Sequence, residues 1–181
     1  NMSGTKRLYN LEEKNYFKFF GVEEKQGTSV RSLSTHYKKI LNILKDDNSF
    51  IGRDHKEFAH RAFNTLVDPI LRARYILETN GHEWDFRDGT TAEDLSFISE
   101  LRIQLARANL QFELENFIFE LKGHTQFIIE QIEESIDTYK NYKTAIGLIN
   151  RFYEISHLHE EAVSKKHEVE QGIHHGVFDQ N

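Results

Sequence analysis

Apolar residues recur along this chain at steps of three and four, and polar breaks divide them into a succession of helices. An aromatic segment from about Leu11 to Phe20 reads as a first helix. Gly21 stops it, because glycine tolerates the left-handed turn beyond a helix end. Ser29 is the expected N-cap of a second helix, with Val30, Leu33, Tyr37, Ile40, Leu41 and Leu44 on one face. Lys45 to Gly52 is polar and reads as a loop. A third helix is predicted over about Asp54 to Val67, with Phe58, Ala59, Ala62, Phe63 and Leu66 as its stripe. Antiparallel pairing of the second and third helices would bury both stripes together. Asp68-Pro69 provides a cap and a first-turn proline for a fourth helix, which ends at Asn80-Gly81.

Gly81 to Thr90 breaks the periodicity and is the expected connector, with Trp84 and Phe86 pinning it against a neighbour. Beyond it the pattern is helical throughout. Leu95, Ile98, Leu101 and Leu105 mark a short amphipathic helix. In the long helix that follows, Leu114, Ile118, Leu121, Ile128, Ile132 and Tyr139 form a heptad seam, with polar Thr125 and Ser135 at two of its positions. Tyr142, Ala145, Ile149, Phe152, Ser156, His159 and Val163 continue the rhythm on a last helix, and Asn141 lies near the turn between the two. Phe112, Phe117, Phe119, Phe127, Ile129 and Ile136 fall outside the seam. One helix face cannot hold them all, so some are expected against a neighbouring domain or a partner.

Composition narrows the functional classes. A hydrophobic content of 38% with 14 Phe is enough for a real core, and a single proline suits long uninterrupted helices. A net charge of -6 disfavours nucleic-acid binding, which needs clustered Lys and Arg. Without cysteine the chain can supply neither a disulfide nor a thiolate metal ligand. No apolar run approaches the roughly 20 residues of a membrane span. His157 and His159 are two apart and His55 and His60 five apart, so neither pair can chelate from one helix face; no metal and no cofactor is expected. Glu133-Glu134 and Glu160-Glu161 read as solvated carboxylates on helical arms. With no cysteine nucleophile, Gly-x-Ser-x-Gly elbow or phosphate loop, the chain reads as non-enzymatic.

Two segments resemble the HscB-type J-domain co-chaperones. Asn15 to Val22 is similar to that family's aromatic first helix ending at a Phe-Gly turn. Leu66-Val67-Asp68-Pro69-Ile70-Leu71-Arg72-Ala73-Arg74-Tyr75-Ile76-Leu77 resembles its Leu-x-x-Pro-Leu-x-Arg-Ala-x-Tyr-Leu-Leu signature. The resemblance covers residues 15–168 and implies an all-α chain. It would have a flexible start (1–10), a J-domain-like helical hairpin (11–80), a linker (81–90), a C-terminal three-helix bundle (91–170) and a flexible tail (171–181). In that family the J-domain loop carries His-Pro-Asp and triggers ATP hydrolysis by a DnaK-type chaperone, while the bundle grips the iron–sulfur scaffold protein. Here the loop reads Lys45-Asp46-Asp47, so only Asp47 matches; the basic helix that faces the chaperone keeps Arg31, Lys38 and Lys39.

The resemblance also implies a partner-binding patch. Leu95 matches an apolar contact position and Phe152 the aromatic on the last helix; Glu100 and Arg102 keep the charged flank, and Ser96 and Ser99 replace larger apolar groups. The off-seam Phe117 and Phe119 join these as candidate contacts. Two readings follow. The first is a degenerate J-like structural or interaction subunit of a larger assembly, with a mitochondrial matrix location implied by the resemblance. The second is a divergent co-chaperone that binds the scaffold protein and a DnaK-type chaperone. The altered loop, the thinned patch and the surplus aromatics favour the first.

Overall fold

The computed structural model describes residues 9–85 and 90–176. The described elements are all helical: α1 Tyr16–Phe19, α2 Val30–Leu44, α3 Phe50–Val67, α4 Pro69–Thr79, α5 Ala92–Arg107, α6 Gln111–Glu133, a π-helical segment Glu134–Thr138, and α7 Tyr142–Gly176. They form two compact units. One comprises the chain up to Trp84 together with Ile136–Lys140, and the other comprises Asp85–Ser135 with the chain from Asn141 onward. The expected role of Phe86, the first eight positions and the last five lie outside the described residues.

The first unit is a J-like hairpin. Helices α2 and α3 bury Leu33, Ile40 and Leu44 against Ala59, Ala62 and Leu66, and the small residues of α3 leave room for aromatic rings. Phe17, Phe19 and Phe20 are fully buried. Phe19 meets Phe58 edge-on at 4.9 Å, Tyr37 stacks on Phe63 at 4.2 Å, and Tyr16 stacks on Tyr75 at 4.3 Å. Helix α1 spans only four residues, much less than the segment expected from Leu11. The Asn15 side chain accepts the Lys18 amide and so fixes the start of the helix. Helix α3 begins at Phe50, four residues earlier than predicted, because the Ser49 hydroxyl caps the Gly52 amide. The Asp68 carboxylate accepts the amides of Ile70 and Leu71 and opens α4 around Pro69.

A polar clamp orders the turn before α2. Buried Arg72 donates through Nη1 to the carbonyls of Gln26 (2.7 Å) and Thr28 (3.1 Å). From the π segment, the Asp137 carboxylate accepts the amides of Gln26 and Gly27, both at 2.8 Å. One guanidinium on the carbonyls and one carboxylate on the amides satisfy the turn from both of its polar sides.

The second unit is a bundle of α5, α6 and α7. Thr91 and Asp94 form a reciprocal capping box at the start of α5. Lys165 donates to the carbonyls of Leu105 (2.7 Å) and Ala106 (3.3 Å) near the other end of α5, where the helix dipole favours a cation. The buried positions of α6 are Leu114, Phe117, Leu121, Ile128 and Ile132, followed by Ser135 and Ile136 in the π segment. The expected seam therefore needs correcting. Phe117 is the buried member where Ile118 was placed, and Tyr139 is exposed beyond the π turn, whose wider winding changes the register. On α7 the core runs through Ala145, Ile149, Ile155, Leu158 and Ala162, whereas Val163 faces outward. Helix α7 also continues to Gly176, six residues into the segment expected as a tail.

Candidate partner-binding surfaces

The first surface lies on the J-like unit. Arg31 and Lys38 are exposed along one row of α2, and Lys45 lies at its C-cap in the same row, with Lys39 beside them. Among the described residues none of Arg31, Lys38 and Lys39 is in an ion pair, so the face presents uncompensated positive charge. Lys39 also acts inward. It adds to the effect of burial in lowering the pKa of His36, whose Nδ1 lies 2.7 Å from the Tyr9 hydroxyl.

The loop after α2 is tightly built. The Asp47 amide donates to the Leu44 carbonyl (3.1 Å), its Oδ1 accepts both the hydroxyl and the amide of Ser49, and its carbonyl accepts Lys56 Nζ at 2.9 Å. The bond from the Ser49 hydroxyl, then that from the amide, holds the Asp47 carboxyl below the ordinary carboxylate range. Gly52 is buried beneath this loop, where a Cβ would sit 2.3 Å from Asp47 Cγ and 2.7 Å from the Asp47 carbonyl oxygen. Asp47, the one family-matching loop residue, is exposed like Lys45 and Asp46, but it is occupied in shaping its own loop.

The second surface lies on the bundle. A groove of about 540 Å³ opens between α5 and α7. Leu95 and Ile98 make its apolar part, and Leu95 is 64% exposed. The small residues Ser99 and Gly147 hollow it, and the buried Asn150, which donates to the Asp85 carbonyl, closes one side. Two ion pairs edge it: Asp94 with Arg151, and Arg102 with Glu154 at 3.7 Å. Arg102 also reaches Glu161 at 3.5 Å, where a second, more polar cleft begins, lined by His157, Glu160 and Glu168. Burial raises the pKa of Asp94, but hydrogen bonds from the Thr91 amide and hydroxyl and from Arg151 outweigh it and leave the carboxyl below its usual range.

The structure brings Leu95 and Arg102 to one groove and leaves Glu100 exposed on another side of α5. Phe152 is half-buried and does not line that groove. It lies one helical step before Ser156, which together with His159 faces a cleft against Thr125 and Gln126 of α6. Phe119 is exposed on α6. Phe117, taken with it as a candidate contact, is 4% exposed and belongs to the core of its own unit, because it occupies the inward sector shared with Leu114 and Leu121. Gly147, Asn150 and Arg151 were missed in the sequence. Nothing local marks them, and only the pairing of α7 with α5 gives them a role.

No family model matches the chain. A curated relative, the co-chaperone protein HscB homolog of Aeromonas hydrophila, is 23% identical over 145 residues, spanning 72% of this chain and 84% of the relative. Among solved structures, the chaperone HscB from Vibrio cholerae superimposes with a TM-score of 0.70 at 20% identity, covering 86% of this chain and 99% of that one. The human co-chaperone protein HscB gives 0.75 at 17% identity, covering 87% and 85%. In both units, therefore, the chain has the fold of the HscB type, and its sequence carries the resemblance to HscB co-chaperones across most of its length.

Proposed function

We propose that this chain is a non-enzymatic, divergent HscB-type co-chaperone. Its bundle holds the iron–sulfur scaffold protein at the α5–α7 groove, and its J-like unit offers a basic face to a DnaK-type chaperone. The observation that carries this reading is the extent of the match, which runs through both units and covers 84–99% of the compared chains. A J-like unit borrowed for another purpose would give no reason for the bundle to keep the same length and order. This weighs against the structural-subunit reading favoured by the sequence alone. The groove supports it with a half-exposed apolar floor and charged edges suited to a protein surface. The mitochondrial matrix is the compartment this reading assigns, on resemblance alone.

The subunit reading keeps one specific support, the Lys45-Asp46-Asp47 loop, which offers neither imidazole nor proline. Two measurements separate the readings. Calorimetric titration with an iron–sulfur scaffold protein should show binding that Leu95→Asp abolishes. Single-turnover ATPase assays with a DnaK-type chaperone should show little stimulation by the native chain, and more after Lys45→His with Asp46→Pro. Absence of scaffold binding returns the chain to the subunit reading.

A further inference from the structure

Helix α6 turns three phenylalanines outward: Phe112 (61% exposed), Phe119 (79%) and Phe127 (58%). They are spaced by seven and eight residues, about two turns each, and so fall in one sector on the side away from Leu114, Leu121 and Ile128. Gly123 sits in the same sector, four residues from both Phe119 and Phe127, in the middle of a continuous helix. Nothing among the described residues explains the glycine. A Cβ there would meet no atom within 4 Å, φ is not positive, and glycine is the poorest helix former after proline. A residue that breaks a local rule without an internal gain points to an external one. The external role open to an exposed helical glycine is close approach of another backbone.

The charges on this face narrow the occupant. Glu115, Glu120, Glu130 and Glu133 are exposed around the phenylalanines, and Lys122 is the one lysine or arginine within α6 itself. Glu115 is shared with Lys166 at 3.4 Å and Glu120 with His124 at 3.8 Å, and the rim remains acidic. A second copy would set acidic rim against acidic rim, and an anionic lipid surface would be repelled. We propose that the outer face of α6 docks an amphipathic helix of a protein partner. That helix would cross over Gly123, set its apolar side between Phe119 and Phe127, and meet the glutamates with Lys or Arg. This surface is separate from the α5–α7 groove, and its existence does not depend on the function assigned to that groove.

The test uses the full chain and a fluorescent amphipathic Leu/Lys helical peptide of roughly 18 residues, or five turns, with a Leu/Glu peptide of the same pattern as control. Anisotropy titrations compare the native chain with Gly123→Leu, which fills the crossing point while improving helix propensity, and with Phe119→Ser. Far-UV circular dichroism checks that both variants keep their fold. The expected result is binding of the Leu/Lys peptide to the native chain, at least tenfold weaker binding to each variant, and none of the Leu/Glu peptide. Equal affinity for all three proteins, or equal binding of both peptides, overturns the proposal. So does sedimentation showing that the chain alone dimerises and that Gly123→Leu dissociates the dimer, because the occupant is then a second copy.

Discussion

Replacing Gly52 with alanine sets two opposed effects against each other at the base of the J-like loop. In an unencumbered helix the change would stabilise by up to about 1 kcal/mol, through propensity and the unfolded chain. Here the new Cβ would lie 2.3 Å from Asp47 Cγ, 2.6 Å from Oδ1 and 2.7 Å from the Asp47 carbonyl oxygen. The side chain can swing away, but the carbonyl moves only if the loop shifts. Moving Asp47 gives up its two bonds to Ser49, and overpacking costs about 1–3 kcal/mol. The steric side wins, and the net loss is about 1–2 kcal/mol. Trp84 is the only tryptophan, lies in the first unit and sits 4.3 Å from the Arg74 guanidinium, so its fluorescence reports unfolding of that unit. With a urea dependence of about 1–1.5 kcal/mol/M, the midpoint should fall by roughly 1 M. An unchanged or raised midpoint would refute the reasoning, because it would mean that Asp47 does not hold the loop over Gly52.

Phe117→Ala should cost the second unit about 3–5 kcal/mol in denaturant unfolding, whereas Phe119→Ala should change stability by no more than about 0.5 kcal/mol. Equal losses would contradict the burial difference between them. Asp137→Ala strips the acceptor from two amides and should destabilise the first unit by about 2–4 kcal/mol, with Asp137→Asn losing roughly half as much, again read from Trp84. Asp94 has a folded pKa below its unfolded value of about 3.9, so its contribution is complete above that pH and disappears as pH falls through the lower folded value. The difference in thermal midpoint between native chain and Asp94→Asn should therefore be constant from about pH 7 to 5 and shrink towards pH 2.5; a gap that widens on acidification would show the sign to be wrong.

Elements whose signals are local were legible in the sequence. Ser29 and Asp68 cap the helices they were expected to cap, and Gly21 and Gly81 take positive φ at the predicted stops. The start of α3 was misplaced because Phe50 and Ile51 are exposed and belong to no stripe, so the cap at Ser49 had no periodic run to announce it. The α6 seam was read one position off near its start because the helix winds at 3.6 residues per turn and ends in a π segment, and a strict heptad follows neither. In the candidate sites, Leu95 and the J-loop tripeptide could be found by resemblance. The Asp47–Gly52 contact and the Arg151 and Asn150 sides of the groove depend on pairings that no local pattern encodes.

The clamp on the Gln26–Gly27 turn bears on how the protein can be cut. A recombinant fragment ending at Trp84 would contain α1 to α4 and every aromatic of the J-like core, yet it would lack Asp137, which arrives from more than fifty residues downstream. Its Gln26 and Gly27 amides would turn to water, and Arg72 would hold the turn by its carbonyls alone. The J-like unit is therefore not encoded by a contiguous stretch of chain. Dissection at the glycine-containing connector would yield a half weaker than its parent, and a short peptide spanning residues 134–140 should restore part of the loss when added in trans.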